Sequence, residues 1–242
     1  MFVLSNTVKK NILVNCDHGT MIVNRFDSNF ESKGHGQWLL DHGNVSTLEA
    51  TVTLKTLKRQ DAVIFDIGAN IGTYATILAK SLPLAKIFCF EPQRLVYQML
   101  CGNFAINNYD NCYPYNVALG DKSCVIDVAE PNYYSNNDFG LFSLTEEKIP
   151  TSGNYYTLEV LTLDDFVNKF SIKQIDFVKV DVEGMDLAVL KGGKHTLSKF
   201  SPALLVEYNN TQQDMLKEII DYLGQDNYTF EVIHNNLLAV PK

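Results

Sequence analysis

Residues 62–72 read AVIFDIGANIG, and this stretch decides the fold. Its apolar run, 62–65, is typical of a strand that is covered on both faces, and the run ends at Asp66. Glycines follow at positions 68 and 72, and a helical stretch, 74–81, comes directly after this glycine turn. At such a junction glycine lets the backbone approach a ligand closely, and free N–H groups at the helix start face that ligand. The stretch therefore predicts an α/β fold with a ligand site at the turn.

The next predicted strand, 86–90, is followed by Glu91. A carboxylate at that point can accept hydrogen bonds from both ribose hydroxyls of a nucleoside. A capping glycine and a surface glutamate would explain either feature alone, but the two together favour a nucleoside ligand. A dinucleotide turn needs glycine where Asn70 stands, next to the pyrophosphate. S-adenosyl-L-methionine (SAM) has no phosphate, so the turn suits SAM better than a nicotinamide dinucleotide.

Strands and helices continue to alternate downstream of this turn. Further strands are predicted at 115–119, 124–129, 156–161, 177–180, 203–207, 228–233 and 237–240. Further helices are predicted at 94–106, 164–169, 185–191 and 213–223. The alternation predicts a Rossmann-like, doubly wound, mostly parallel seven-stranded sheet with helices on both faces, closed by a C-terminal antiparallel hairpin.

The N-terminal part follows a different pattern. Residues 12–15 and 20–24 predict a small β-hairpin, and the glycine-punctuated residues 28–46 predict a loop. The S-x-x-E sequence at 46–49 predicts a capped helix over 47–58, although its threonines leave a strand possible. We therefore divide the chain into an extension, 1–46, and a SAM-binding domain, 47–242.

Composition excludes several classes of protein. The chain has 242 residues and a net charge of −8, so it lacks the basic surface that nucleic-acid substrates need. Its apolar runs are too short to cross a bilayer. The five cysteines are scattered, without a C-x-x-C pair, which predicts reduced thiols and a cytoplasmic protein. The oligomeric state is left open.

Three acidic residues follow predicted strands. Asp181 and Glu183 come directly after the strand 177–180, and Glu207 ends the strand 203–207. Because the carboxyl ends of parallel strands open onto one crevice, we expect these acids near Gly68 and Glu91. Helix N-capping would also explain an acid in a first helical turn. Three acids at one edge favour catalysis, and we rank Asp181 first and Glu183 second as the general base.

A divalent cation is the alternative occupant of this cluster. Carboxylate oxygens are the ligands that Mg²⁺ and Ca²⁺ prefer. His195 is the one histidine near the cluster in sequence, and a histidine after a Gly-Gly helix end is more often a surface residue. We therefore predict no metal, and we expect the acids to carry the proton chemistry.

Two polar segments are candidates for acceptor binding. Residues 132–142, NYYSNNDFGLF, form a long irregular stretch whose aromatic and amide side chains suit a sugar, although a plain exposed loop has the same composition. The predicted substrate contacts there are Tyr133, Tyr134, Asn137 and Asp138. His35 and Trp38 are candidates for a lid over the substrate, but we favour the alternative that Trp38 anchors the N-terminal hairpin to the core.

The ordered motifs DIGANIG, FEP, NVALGD, TLDDF, VKVDVEGMDLAVLKGG and LLVEYN resemble the FkbM family of class I SAM-dependent methyltransferases. The resemblance covers residues 47–209, and the D-V-E-G turn with its downstream L-K-G-G is the most specific piece. It implies a seven-stranded Rossmann-like fold, SAM as cofactor, and methylation of a hydroxyl on a sugar or other small molecule. The terminal hairpin is similar to the antiparallel seventh strand of such enzymes.

The resemblance also implies roles for individual residues. Glu91 would hold the ribose, and Val117 and Ala118 would lie beside the adenine. The methionine moiety would be lined by Gly68, Ala69, Asn70 and Gly72, and Asp66 and Pro92 complete the expected cofactor set. The signature of amino-methyltransferases, Asn or Asp followed by Pro-Pro and an aromatic residue, is absent, which argues against adenine or glutamine substrates. A SAM-binding protein without catalysis and a nicotinamide-dependent oxidoreductase remain as alternatives.

Overall fold

The protein is described here by a computed structural model that covers residues 9–28, 34–45, 47–144, 153–208 and 213–242. The strands are β1 (Asn11–Cys16), β2 (Gly19–Asn24), β3 (Val63–Ile67), β4 (Lys86–Phe90), β5 (Cys112–Tyr115), β6 (Ala118–Gly120), β7 (Cys124–Ala129), β8 (Tyr155–Thr162), β9 (Phe177–Val180), β10 (Ala203–Glu207), β11 (Tyr228–Ile233) and β12 (Asn236–Pro241). The helices are α1 (His35–His42), α2 (Leu48–Thr56), α3 (Thr73–Ser81), α4 (Arg94–Ile106), α5 (Leu163–Lys169), α6 (Asp186–Gly192), α7 (Lys194–Phe200) and α8 (Gln213–Leu223).

The main sheet has seven strands in the order β11-β12-β10-β9-β3-β4-β5. The strands from β10 to β5 run parallel, while β12 is antiparallel to both β10 and β11. The predicted mostly parallel sheet with a C-terminal antiparallel hairpin is therefore confirmed. After β3 the chain builds β4 and β5 on one side and then crosses to β9 on the other. Ligands of such sheets bind at this reversal, beyond the carboxyl ends of the strands.

Both faces of the main sheet are covered, because successive side chains of a strand point to opposite faces. Ile64 and Ile87 pack into a core cluster with helices α2, α3 and α4. Phe65 and Phe88 pack into a second cluster with α5, α6, α7 and α8. This double coverage explains why β3 reads as a continuous apolar run.

The predicted strand 115–119 is wrong as a single element. Its first part belongs to β5, which pairs with β4, and its last part belongs to β6, which pairs with β8 in a separate three-stranded sheet with β7. Asn116 separates the two, since its side-chain amide donates to the carbonyl groups of Glu91 at 2.8 Å and Pro92 at 3.1 Å. These bonds turn the chain towards the ligand crevice.

The N-terminal hairpin exists as predicted, but residues 28–46 are not simply a loop. They contain α1, whose Leu39 is buried and whose C-cap Gly43 has a φ of 69°. The two glycines at its start hid this helix from the sequence pattern, because glycine disfavours helix interiors. The segment that follows is the helix α2, as predicted, while Ser46, the first residue of the predicted capping box, lies outside the described residues.

The hairpin is docked on α4 by two asparagines one helical turn apart. Asn107 accepts from the Thr20 amide at 2.9 Å and donates to the Thr20 carbonyl at 2.7 Å. Asn103 accepts from the Ile22 amide and donates to the carbonyl groups of Ile22 and Ile71. Each amide side chain thus bonds the edge of β2 as a neighbouring strand would. Met21 and Val23 enter the same core cluster as β3, so the extension and the main domain share one core.

Among the helices in the described ranges, none combines the length and the apolar character that crossing a membrane requires.

Candidate functional site

The turn after β3 is held against its neighbours by backbone contacts. The amides of Gly68 and Ala69 both donate to the carbonyl of Phe90, at 3.0 and 2.9 Å. Gly68 has a φ of 85°, and a Cβ added to it would lie 1.8 Å from the carbonyl oxygen of Asp181. This glycine is therefore required by the close approach of the two strand ends, and only its backbone faces the cavity.

Glu91 is tied to the same turn. Its side chain is 3% exposed, and its two oxygens accept from the amides of Asn70 at 2.9 Å and Gln93 at 2.8 Å. Burial raises the pKa of Glu91 to about 7, and the two amide bonds act against that rise. Asn70 is a non-glycine residue with a φ of 51°, a conformation that costs free energy and is often found at binding sites.

A cavity of about 310 Å³ opens beyond the carboxyl ends of β3, β4 and β9. Of the nine residues predicted to bind the cofactor, eight line this cavity. Gly72 does not line it, and its Cβ would instead meet Leu100 Cδ1 at 2.7 Å and Phe104 Cε1 at 3.0 Å. A glycine is thus required at this position because α4 packs against the start of α3, and the interpretation of Gly72 as a cofactor contact stays a prediction.

The acids Asp181, Glu183 and Glu207 meet in this cavity, as the strand-end argument predicts. Each offers an oxygen, and these oxygens lie within 4.8 Å of one another. Burial and, after it, the neighbouring Asp181 charge raise the pKa of Glu207 to about 10. Glu207 therefore holds a proton at neutral pH and shares it with Asp181 through a carboxyl–carboxylate hydrogen bond.

A buried lysine supplies a positive charge next to these acids. Lys179 lies on β9, and its Nζ is 2.7 Å from Asp181 Oδ2 and 3.8 Å from Asp66 Oδ1. Burial alone would raise the pKa of Asp181, but the Lys179 ammonium and the Glu207 hydrogen bond hold it below its usual range. Asp181 is thus an ion-paired carboxylate and a weak base.

Glu183 has a different environment. It is half-buried in the turn between β9 and α6, where its φ is 52°. Burial and the nearby negative charges of Asp181 and Asp186 raise its pKa to about 7. The turn is fixed by Asp186, whose carboxylate accepts from the amides of Val182 at 3.3 Å and Gly184 at 3.2 Å. A strained residue held by such bonds is common where a side chain must be aimed at a ligand.

Asp66 sits beneath the cluster and is fully buried. Neither of its carboxylate oxygens has a hydrogen-bond partner among the described residues. Burial raises its pKa to about 6, and the Lys179 charge lowers it. Burying a carboxylate without hydrogen bonds costs free energy unless a cationic group pairs with it.

The predicted substrate contacts are only partly brought together. Asp138 lines the cavity, and Asn137 lies beside it in an adjoining groove. Tyr133 is 3% exposed and packs on Phe139, so its interpretation as an acceptor contact is corrected to a core residue. Tyr134 is exposed under the ammonium of Lys10 and does not line the cavity.

Two functional residues were missed by sequence reasoning. Lys179 was not singled out. A lysine within a fully buried strand is rarely found without an acidic partner, and this was the available signal. Asp186 was also missed, and an acid three residues after Glu183 in a first helical turn was the available clue. His195, in contrast, is exposed and does not line the cavity.

Comparison with known sequences bears on this arrangement. A family model described as the Methyltransferase FkbM domain matches residues 66–232, which include the cofactor turn, Glu91 and all three acids. The chain belongs to the FkbM methyltransferase family. In this FkbM methyltransferase, the matched region begins at Asp66, so β1, β2, α1 and α2 lie outside it.

Two curated relatives carry informative names. The 2-O-methyltransferase NoeI of Sinorhizobium fredii is 28% identical over 180 residues, or 69% of this chain and 73% of NoeI. The hexuronic acid methyltransferase AglP of Haloferax volcanii is 31% identical over 138 residues, or 57% of this chain and 52% of AglP. The FkbM chain described here thus aligns with about half the length of AglP.

Solved structures share the fold. Methyltransferase FkbM from Methylobacillus flagellatus superposes with a TM-score of 0.54 at 18% identity, covering 76% of this chain and 45% of that one. A putative caffeoyl-CoA O-methyltransferase from Staphylococcus aureus gives a TM-score of 0.50 at 13% identity, covering 85% and 90%. At these identities the likeness establishes the methyltransferase fold of the FkbM chain and no more.

Proposed function

We propose that this FkbM methyltransferase transfers a methyl group from SAM to a hydroxyl of a saccharide or another small molecule. The observation that carries the proposal is Glu183, a carboxyl group with a pKa raised to about 7 in the cavity that the cofactor turn opens onto. The names of NoeI and AglP support oxygen and a sugar as the acceptor atom and class.

The residues at the cavity fit SAM. Glu91 directly follows β4, where a ribose would lie, and Val117, Ala118 and Leu119 offer an apolar wall for adenine. The Asp66 carboxylate is ion-paired with Lys179 but accepts no hydrogen bond among the described residues, so its oxygens suit the ammonium of the methionine moiety as a donor. When bound, SAM supplies an activated methyl group on a sulfonium. The chain's own part is to position the acceptor and to take a proton from its hydroxyl.

Glu183 is a better proton acceptor than Asp181. A general base works best when its pKa lies near the working pH, and Glu183 meets that condition. Asp181 is engaged by Lys179 and by the protonated Glu207, so it holds its charge and orients the cluster. We therefore assign the base to Glu183 and a positioning role to Asp181 and Glu207.

A divalent cation is the second candidate occupant, because the three acids are spaced closely enough to bind one. Lys179 already offsets the charge of Asp181, and Glu207 would have to release its proton first. The metal assignment and the proton-transfer assignment predict different activities after exhaustive chelation. Activity that vanishes with EDTA and returns with Mg²⁺ would support the metal, whereas unchanged activity would support the proton-transfer assignment.

The first prediction concerns Glu183→Gln. Glutamine keeps the shape but cannot accept a proton, so turnover on an acceptor found by screening should fall at least about 100-fold while SAM affinity is unchanged. Wild-type turnover should fall about tenfold per pH unit below pH 7, as Glu183 becomes protonated, and the residual rate of the variant should not follow pH. Methyl transfer and titration calorimetry measure the two quantities.

Glu231→Gln is the matched control, since Glu231 is exposed on β11 and far from the cavity lining. A fully active Glu183→Gln variant would refute the base assignment. SAM binding without transfer to any of a broad set of acceptors would instead indicate a binding protein without catalysis.

The remaining expectations concern location and partners. The cysteines of the structure are all free thiols, which is consistent with our proposal of a reducing, cytoplasmic compartment. The expectation that nucleic acid is not a substrate stays a prediction from the net charge of −8.

A further inference from the structure

His35 reaches the cavity from the N-terminal extension. It is the first residue of α1, is exposed, and lines the same cavity as Glu183 and Glu207. Burial raises the pKa of Asp181, and a positive charge on Lys179 or on His35 lowers it, so His35 lies within electrostatic reach of the acid cluster. Residue 35 lies outside the region matched by the FkbM family model.

Two glycines fix the backbone on either side of His35. A Cβ on Gly34 would lie 2.0 Å from Asp27 Oδ1, and a Cβ on Gly36 would lie 2.9 Å from the carbonyl oxygen of Asn24. No larger residue fits at either position without displacing Asp27 or the end of β2. The start of α1 is therefore packed directly on this aspartate, and the direction of His35 is set by that contact.

Asp27 joins α1 to a second segment of the cavity wall. Its carboxylate accepts from the Gly36 amide at 2.7 Å and from the Phe139 amide at 3.1 Å, and its carbonyl accepts from Gly34 at 3.1 Å. Asp27 is 3% exposed, and a buried carboxylate is tolerated where such bonds offset its desolvation. Gly34, His35, Asp138 and Phe139 all line the cavity. One buried side chain thus holds two segments of this wall together.

We propose that His35 binds the methyl acceptor and that the acceptor is a neutral saccharide. Asp27 does not touch the acceptor, but it holds the start of α1 and thereby positions His35. The inference rests on the proposed function, in which Glu183 meets the hydroxyl to be methylated. An imidazole can donate to one sugar hydroxyl or accept from it, so it suits a polyhydroxyl ligand.

The charges of the cavity wall select against an anionic acceptor. Among its described residues, Lys179 is the single lysine or arginine, and it is engaged by Asp66 and Asp181. Asp138 and Glu183 add negative charge at the acceptor side, where the Asp138 charge helps to raise the pKa of Glu183 after burial and the charges of Asp181 and Asp186. Apart from the His35 imidazole, the described cavity wall therefore offers an anionic acceptor no cation that is not already paired, and we expect a neutral hexose to bind more tightly than a uronic acid.

The test uses the full chain saturated with S-adenosylhomocysteine. Saturation-transfer NMR measures the binding of methyl α-glucoside, methyl α-galactoside, methyl α-mannoside and methyl α-glucuronide. We expect wild type to bind at least one neutral glycoside more tightly than the glucuronide. His35→Ala should weaken that binding at least tenfold, and His35→Gln should restore part of it. His42→Ala is the matched control on the same helix, where the ring stacks on Trp38 outside the cavity.

Asp27→Asn tests the positioning role. Asparagine keeps one acceptor oxygen and loses the other, so α1 and residue 139 are no longer both held. We expect the KM for the acceptor to rise at least fivefold while kcat and the affinity for S-adenosylhomocysteine stay within twofold. An Asp27→Asn variant that lowers kcat and leaves the acceptor KM unchanged would overturn the positioning role.

Three results would overturn the assignment of His35 and the acceptor class. They are equal glycoside affinity in His35→Ala and wild type, no glycoside binding by wild type, and a preference for the glucuronide. Glycoside binding that depends on His35, without methyl transfer from SAM to any bound glycoside, would contradict the proposed function and leave His35 as a saccharide-binding residue only.

Discussion

At the scale of single residues, Lys179 controls the charge of the site. It is the buried cation between two buried or part-buried acids, and its ammonium also lies 5.5 Å from the centre of the Tyr74 ring. Removing one member of a buried ion-paired group leaves the others uncompensated, and this usually costs about 3–5 kcal/mol. The lysine therefore stabilises the folded protein through the same contacts that make Asp181 a weak base.

We predict that Lys179→Met lowers the free energy of unfolding by about 3–5 kcal/mol at pH 8, because Asp66 and Asp181 lose their counter-charge. At pH 5 the deficit should shrink. Without the lysine the folded-state pKa of Asp66, already raised to about 6, rises further, and that of Asp181 rises above the unfolded value, so stability is lost as pH rises from the unfolded pKa to the folded pKa. Urea unfolding at the two pH values measures the difference, with Lys191→Met, an exposed lysine on α6, as control. An equal deficit at both pH values would contradict the electrostatic explanation.

At the scale of elements, the hairpin of β1 and β2 is joined to α4 by side-chain amides that bond the backbone of β2 as a neighbouring strand would. Asn103 and Asn107 lie four residues apart, so both amides point to the same face of α4. β2 has β1 on one side and these amides on the other. This docking holds the end of β2, and with it Asp27, in a fixed position.

We predict that Asn107→Ala destabilises the protein by about 1–3 kcal/mol, since it leaves the amide and carbonyl of Thr20 without their partner. Hydrogen exchange at the amides of Thr20 and Ile22 should become faster relative to amides of β3. Gln98→Ala is the matched control, because Gln98 is on α4 but exposed. Unchanged exchange at Thr20 would show that the hairpin is held by its apolar contacts alone.

At the scale of the whole molecule, the N-terminal extension belongs to the core. Four of its side chains, Met21, Val23, Leu39 and Val45, are buried in the cluster that covers one face of the main sheet. Full burial of such a side chain contributes about 1.5–3 kcal/mol, so the four together contribute about 6–12 kcal/mol. That sum is comparable with the entire stability of an ordinary domain, about 5–15 kcal/mol.

We predict that a variant lacking residues 1–45 does not fold cooperatively, although the FkbM match begins only at residue 66. Circular dichroism and thermal unfolding measure the transition, and dye binding measures the exposed apolar surface. A variant without residues 1–8, which keeps all four of these buried side chains, is the control. A cooperative transition with wild-type midpoint after removal of residues 1–45 would show that the remaining residues, 46–242, form an independent domain, in line with the sequence division after residue 46.

The sequence by itself determined the parts of the protein that depend on local order. An apolar run ending at Asp66, followed by glycines and a helix, specifies β3 and its turn because those features are neighbours in the chain. Glu91, Asp181 and Glu207 could be placed in one crevice because parallel strands end at a common edge. The terminal hairpin followed from its tight turn.

The tertiary structure alone decided the parts that depend on contacts between distant residues. Gly68 is required by the carbonyl of Asp181, and the Asp27 carboxylate meets the Phe139 amide 112 residues away. The distinction between Asp181 and Glu183 comes from burial and from the position of Lys179, neither of which is visible in the acid motif. A pKa depends on all the charges and solvent around a group in space, whereas a motif records only its neighbours along the chain.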